Sequence, residues 1–352
     1  MTIKVLFTII CILLFPKDTF CQILLVDITN GQAVPYAQIT DEKGVTFGMT
    51  DAKGFFPHGL KTGKLIIQHL SYHSKEIECS ELKLNTRISL VPKIQTLEEV
   101  SVSATAKDFV HLRAYFRSYQ LNDSCIKYYK EGFADYFIGI KSKKNKRYVW
   151  QVRNLENRRL IEKDRKRANS MVDKYIITPY LEEKTLIERL KHDGWTYQTD
   201  SVMSVLCRKD VQAGVVRTDT ANGICLVTYD ALESRDEKKG TLFGYTTRLV
   251  DHYQTETYRY REGYQSYMDL VNRKDYRKIF YKYKKDTTEQ MVEVIDELYV
   301  LGAEYIPTQE MKEIVARLQS SEKKDYPSDS IVSPLPEYLK SVIEAEMSYS
   351  GK

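Results

Sequence analysis

The chain has 352 residues, 42% of them hydrophobic and 29% charged, with a formal net charge of +5. Such a length allows two domains of about 150 residues each, with enough apolar content for two cores. The charge is too mild to argue for a nucleic-acid partner.

Residues 1–21, MTIKVLFTIICILLFPKDTFC, place one positive charge at Lys4 ahead of an apolar run from Val5 to Phe15, closed by Pro16. A membrane-crossing helix needs about 20 apolar residues, so this shorter run reads as a secretory signal peptide with cleavage after Cys21. Lipidation of Cys21 is the rival reading, opposed by the bulk of Phe20 just before it. No later stretch approaches about 18 uninterrupted apolar residues, so no transmembrane helix is expected in the mature chain. The expected location is therefore exported, in the periplasm or associated with an outer membrane. Export leaves Cys79, Cys125, Cys207 and Cys225 in a compartment where disulfides persist. Cys207 and Cys225, in the neighbouring strand-like runs SVLC and GICLVTY, are the candidate pair, and buried free thiols are the alternative.

Residues 22–103 read as short strands with period-two alternation: ILLVDI (23–28), PYAQIT (35–40), GVTFGMT (44–50), GFFPHGL (54–60), KLIIQHLSYHSKEIEC (64–79) and TRISLV (86–91). Two Asp-x-Lys-Gly segments, Asp41 to Gly44 and Asp51 to Gly54, punctuate them. Asp bonds its own backbone two residues on and Gly supplies a positive φ, so each segment predicts a turn. The spacing gives a small antiparallel β-sandwich. VDITNGQAVPYAQITDEKGVTFGMTDAKGFF, KLIIQHLSYHS, ISLVPK and LEEVSVSA together resemble the carboxypeptidase-D regulatory-like domain, a transthyretin-like sandwich found at the N-termini of exported envelope proteins of Bacteroidota-type bacteria. The resemblance implies a non-catalytic spacer or docking module. The same module precedes the plug of large outer-membrane transporters, but about 22 tilted strands and a plug do not fit in the remaining chain.

Residues 104–120 predict a linker helix: Thr105 and Asp108 form a capping-box-like pair, and Phe109, Leu112, Phe116 and Tyr119 recur on one helical face. Beyond them the composition changes, because 24 of the 26 tyrosines lie after residue 110. Alternating runs such as YYKEGFADYFIGI, RYVWQV and HYQTETYRYREGYQSY predict half-buried strands. Helices are expected from Thr178-Pro179 through YLEEKTLIERLKH, in TQEMKEIVARLQ, and after Ser333-Pro334. Residues 121–319 thus predict an α+β domain with a twisted antiparallel sheet, open enough for a half-barrel, and residues 320–352 a polar linker with a C-terminal helix. The fold class is mainly β. Lys and Arg in nearly every run argue against a small lipid-facing barrel.

Chemistry-bearing motifs are sparse. His73 and Glu76 have the H-x-x-E spelling of a zinc site, yet three residues apart in a strand they point to opposite faces. His69 and His73 would share a strand face without a third ligand. There is no G-x-S-x-G, P-loop or dinucleotide fingerprint, so no catalytic, metal or cofactor residue is assigned and no cofactor is expected. A hydrolase would require His111, His192 or His252 to meet a Ser or Cys in a common cleft. The run from Lys141 to Arg167 carries twelve basic and three acidic residues. Its Lys141, Lys143, Lys144, Lys146, Arg147, Arg158 and Arg159 are the candidate binding patch for an anionic lipid or acidic partner. The expected function is an exported binding or scaffolding module for an envelope protein, glycan or lipid, with a second domain enclosing an apolar cleft. The alternatives are a hydrolase within residues 105–352 and a lipid-binding half-barrel.

Overall fold

The computed structural model describes residues 23–57, 59–60, 63–83, 86–93, 107–142, 144–165, 174–192, 195–200, 203–208, 211–220, 222–232, 237–242, 244–262, 265–318 and 332–350. The signal peptide expected at 1–21 and most of the 320–334 linker lie outside these residues. Among them the chain is mainly β, with four α-helices.

The N-terminal module contains β1 (Leu24–Asp27), β2 (Gln38–Asp41), β3 (Thr46–Met49), β4 (Lys64–His69), β5 (Tyr72–Glu78) and β6 (Arg87–Leu90). One sheet is antiparallel in the order β3-β2-β4-β5, while β1 and β6 form a separate parallel pair. The interior between them is apolar, including Leu25, Val34, Ile39, Ile67 and Leu90. Both Asp-x-Lys-Gly segments make the same turn. Asp41 Oδ1 accepts from Lys43 N (2.9 Å) and Val45 N (2.8 Å), and Asp51 Oδ1 from Lys53 N (2.9 Å) and Phe55 N (2.8 Å). Gly44 and Gly54 follow at φ +81° and +80°. The first turn closes the β2–β3 hairpin. The second does not start the predicted strand 54–60; it carries the chain across to β1, where Phe55 makes a single bridge with Leu24. The predicted strand 64–79 is two strands, because the backbone reverses after His69, with Ser71 N donating to His69 Nδ1 (3.1 Å).

The remainder forms one 12-stranded sheet. Its strands are β7 (Phe109–Asn122), β8 (Cys125–Gly139), β9 (Asn145–Asn157), β10 (Thr196–Asp200), β11 (Met203–Arg208), β12 (Val211–Asp219), β13 (Ile224–Asp230), β14 (Lys238–Leu242), β15 (Tyr245–Arg259), β16 (Leu270–Tyr283), β17 (Gln290–Ile306) and β18 (Met347–Tyr349). The order is β10-β11-β12-β13-β15-β16-β17-β7-β8-β9-β18, with β14 also on β15, so the sheet is open rather than a closed barrel. The helices are α1 (Arg158–Arg165), α2 (Leu186–His192), α3 (Thr308–Leu318) and α4 (Glu337–Glu346). None of the described helices is long and apolar enough to cross a membrane.

The linker helix expected over 104–120 is replaced by β7, a central strand buried at nearly every position. A strand covered on both faces shows no polar alternation, and its apolar residues then also satisfy a helical period. Asp108 does cap a helix, but a distant one: its Oδ2 accepts from Thr308 N (2.9 Å) and Thr308 Oγ1 (2.7 Å) at the start of α3. The helix expected from Thr178 begins only at Leu186. There Thr185 and Glu188 form a capping box: Thr185 N donates to Glu188 Oε2 (2.8 Å), and Glu188 N to Thr185 Oγ1 (3.4 Å).

Both faces of the central strands are covered. On one, the N-terminal module and α4 pack: Leu70 joins Tyr115, Phe133 and Tyr299, and Leu339 and Ile343 join Tyr119, Tyr129 and Ile295. Along this face a single register row crosses five strands as Lys274, Glu297, Arg117, Glu131 and Arg153, alternating in charge. The module meets the sheet through polar contacts too. Arg217 reaches Tyr72 Oη (2.7 Å) and Asp27 Oδ2 (3.3 Å), and Thr46 N donates to Glu293 (3.3 Å). The opposite face carries the strap described next.

Candidate functional site

Residues 174–185 cross the far face of the sheet without regular secondary structure. A segment with no ladder of its own must find other partners for its backbone, and the sheet's side chains supply them. Tyr175 N donates to Gln120 Oε1 (2.8 Å) and Ile177 N to Ser118 Oγ (3.3 Å). Tyr136 Oη donates to Pro179 O (2.7 Å), Arg273 to Tyr180 O (3.1 Å), and Tyr267 Oη to Glu182 O and Lys184 O (both 3.0 Å). Leu186 N, where α2 begins, donates to Glu256 (2.9 Å).

Beneath this strap lies a cleft of about 190 Å³. Ile177, Pro179, Tyr180 and Glu182 form its roof and lip, and His252, Arg273, Asp275, Arg277, Asp296 and Leu298 its floor. Strand register builds the floor as a grid. Gln254, Asp275 and Asp296 stand opposite one another on β15, β16 and β17; Glu256, Arg273 and Leu298 form the row on one side, and His252 and Arg277 lie in the row on the other. Alternate residues of a strand share a face, so the motif H-x-Q-x-E meets R-x-D-x-R and D-x-L on one surface.

The charges on this floor neutralise one another. His252 Nε2 (3.1 Å) and Gln254 Nε2 (2.9 Å) both donate to Asp275 Oδ2. Arg277 lies between two carboxylates: its Nη2 donates to Asp296 Oδ2 (2.6 Å), and its Nε is 3.2 Å from Asp275 Oδ1 without the alignment of a hydrogen bond. Ser118 Oγ donates to the other oxygen of Asp296. Burial opposes ionisation of Asp275, but the His252 hydrogen bond and the charges of His252, Arg277 and Arg273 outweigh it and hold the carboxyl down to about 2. For Asp296 burial wins over Arg277 and Ser118, and its carboxyl is pushed up to about 6.

His252 thus has a carboxylate partner, but among the described residues no Ser, Thr or Cys lines the cleft. The nearby Ser118 hydroxyl is committed to Asp296 and to the strap. Nor is the cleft apolar, as the sequence suggested: its floor is a field of titratable groups. His111 is on β7 rather than a helix, and both its ring nitrogens face carboxylates, Asp135 Oδ1 at 2.6 Å and Glu304 Oε1 at 2.9 Å. Burial would lower its pKa, yet these two hydrogen bonds raise it, so His111 is a buried residue clamped between two carboxylates. His192 ends α2, and its side chain lies outside the described residues.

The candidate basic patch divides. Lys141, Lys144, Lys146, Arg158 and Arg159 are exposed around β9 and the start of α1. Arg147 instead ties down the strap, donating to Thr178 O (2.6 Å) and Pro179 O (2.9 Å), and Lys143 lies outside the described residues. The expected Cys207–Cys225 bridge is not made. Both residues are buried and they are not bonded to each other: Cys207 is on β11 opposite Gln212 and Cys225 on β13 opposite Thr218, with β12 between them. Two strand spacings alone separate them by about 9.5 Å, beyond the reach of a disulfide. The Glu76 carboxylate, half of the H-x-x-E spelling, is paired with Lys64.

Sequence reasoning missed Arg273, Asp275, Arg277 and Asp296. The available signal was polar residues at alternate positions in three runs otherwise rich in Tyr, Ile and Val. The chain matches no protein-family model, and a search of curated proteins finds no relative.

Proposed function

We propose that the chain is an exported, non-enzymatic binding protein whose ligand sits in the cleft between the 174–185 strap and strands β15, β16 and β17. The observation that carries this reading is the grid floor. Its acids and bases are spent on one another, on rigid strands, with no Ser, Thr or Cys among the described residues that line it. Preformed sites of this kind combine a fixed floor with a few placed polar groups. Within this reading the N-terminal sandwich is of the carboxypeptidase-D regulatory-like kind and acts as a fixed brace on the sheet, supported by its polar docking contacts. The exported address rests on the signal-like residues 1–21. The covered faces of the central strands speak against a lipid-filled half-barrel.

The exposed Lys141, Lys144, Lys146, Arg158 and Arg159 would serve as a secondary contact for anionic head groups or an acidic envelope partner. A hydrolase is the competing reading, drawn from Asp275 and Asp296, cross-strand neighbours whose pKa values are driven in opposite directions. Arg277 between them opposes it, because each carboxylate spends its charge on that guanidinium.

Hydrogen exchange of residues 22–352, with and without a soluble extract of the source cell's envelope, tests the proposal. Slowed exchange in 177–182 and 273–277 supports it. Slowing confined to 141–159 would give the binding role to the basic surface, and no slowing anywhere would overturn a binding role.

A further inference from the structure

We infer that the cleft under the strap takes a neutral, hydroxyl-rich ring, a single sugar residue or a sugar chain end, and discriminates against its charged relatives. The inference rests on the cleft being the ligand seat and goes further by naming the chemistry of the occupant.

The first argument is electrostatic. Arg277 is shared by Asp275 and Asp296, Asp275 also holds His252, and Arg273 lies 3.6 Å from Glu256. These side chains are mostly buried, the exposure of Asp296 being 3% and that of Asp275 15%. An anionic or cationic ligand would have to pull one partner away from the other and leave a buried charge uncompensated, which strongly disfavours it. A neutral ligand leaves every pair intact.

The second argument concerns hydrogen-bonding capacity. The floor alternates donors and acceptors: the guanidiniums of Arg273 and Arg277 beside the carboxylates of Asp275 and Asp296, with the exposed Glu182 at the rim. Arg277 Nε is buried with no aligned acceptor. A hydroxyl both donates and accepts, so it can bridge a neighbouring donor and acceptor without altering their charge. Opposed residues on adjacent strands stand about 4.5–5.5 Å apart, a spacing that several hydroxyls on one ring can meet together.

The third argument is shape. The lip presents Tyr180, 49% exposed, and Ile177, 46% exposed, with Pro179 between them. An exposed aromatic ring offers an apolar face with a polar tip. The ligand that matches a polar floor and an apolar lip has hydroxyls around its edge and C–H bonds on its face. A cleft of about 190 Å³ is below the roughly 300–1,000 Å³ of pockets for drug-sized ligands, which limits the occupant to one ring or a chain end.

The test is titration calorimetry on residues 22–352 with glucose, galactose and N-acetylglucosamine, each beside its uronate and its 6-phosphate. At least one neutral sugar should bind about tenfold more tightly than its charged counterparts. Tyr180→Ala, an exposed position, should weaken that binding about fivefold through loss of the stacking face, and Asp275→Asn should weaken it further. Tyr338→Ala, an exposed tyrosine on α4, should leave it unchanged. Tighter binding of a uronate or phosphate that is still sensitive to Tyr180→Ala would overturn the neutral-ring assignment and keep the seat. Sugar binding insensitive to both cleft variants would overturn the seat as well. If no neutral sugar binds while the envelope extract still protects 177–182, the ring assignment alone falls.

Discussion

Gly54 and Gly31 both hold a positive φ, +80° and +70°, in turns of the N-terminal module, but their surroundings differ. A Cβ on Gly54 would lie 2.9 Å from Leu25 O, whereas nothing lies within 4 Å of one on Gly31. Alanine at either position pays the left-handed cost of roughly 1–2 kcal/mol. Gly54→Ala must also displace the backbone that joins the module's two sheets. In urea unfolding, Gly31→Ala should therefore cost about 1 kcal/mol and Gly54→Ala clearly more; equal losses would show that β1 can yield. The turns at Gly44 and Gly54 were legible in the sequence because an Asp-x-Lys-Gly turn is completed within five residues. The Asp275–Asp296 pair was not, because it depends on which residue of β17 lies opposite β16. Asp296 nonetheless makes a distinct prediction. Its folded value, about 6, lies above the ordinary 3.8, so its contribution to stability is complete below 3.8 and is lost as pH rises through 6. Asp296→Asn should remove a loss on the order of 2–3 kcal/mol between those pH values. The variant-minus-wild-type difference in urea midpoints isolates it, and a difference independent of pH would refute the assignment.

Among the elements, β7 shows where periodicity misleads. Phe109, Leu112, Phe116 and Tyr119 fit a helix as well as they fit a strand whose two faces are both buried, and only its neighbours β8 and β17 decide between them. The sandwich strands were legible because one face of each meets water or a polar interface. The contact between module and sheet was not, since its residues are polar and read as surface. His69, at the end of β4, occupies that contact. Burial, together with Arg217, Lys93 and Lys274 facing it from the sheet and from the module's last residues, drives its pKa down from 6.5 to about 3. Its neutral Nδ1 accepts from Ser71 N (3.1 Å). A base whose folded pKa is depressed stabilises the fold above its unfolded value. That stabilisation is therefore full above 6.5 and erodes as pH falls toward 3. At about pH 5 the loss should be on the order of 2 kcal/mol. It should appear first as faster hydrogen exchange in β4 and β5, where the module leaves the sheet. His69→Asn, which takes up no proton, should be less acid-sensitive than wild type, and an unchanged acid response would place the switch elsewhere.

For the whole molecule, the question is whether the sandwich is a spacer on a tether or part of one folded body. Length and the change in tyrosine content suggest two domains, but a length says nothing about how firmly such parts dock. Asp27 gives a direct handle on the docking. Its Oδ1 accepts from Thr29 N (2.8 Å) and Thr29 Oγ1 (2.6 Å), and its Oδ2 from Tyr72 Oη (2.7 Å) and Arg217 (3.3 Å). Burial opposes ionisation of Asp27, and these hydrogen bonds with the charge of Arg217 overcome it, so its pKa is lowered from 3.8. Its contribution is thus present above 3.8 and lost as pH falls below it. Arg217 is on β12 of the large sheet and is 4% exposed. Replacing Asp27 with alanine leaves that guanidinium buried without its carboxylate, a loss of about 3–5 kcal/mol for a pair of this kind. If module and sheet are one cooperative body, Asp27→Ala should lower a single unfolding transition and speed hydrogen exchange in β4 and in β12 together. A tethered spacer would behave otherwise: β4 would lose protection while β12, β16 and β17 kept theirs, and calorimetry would resolve two transitions of which only one had moved. The first outcome is expected, because the same interface also joins Thr46 to Glu293, Lys93 to Ser333 and Leu70 to Tyr299, so the module cannot leave without uncovering charges and apolar surface along the sheet's central strands.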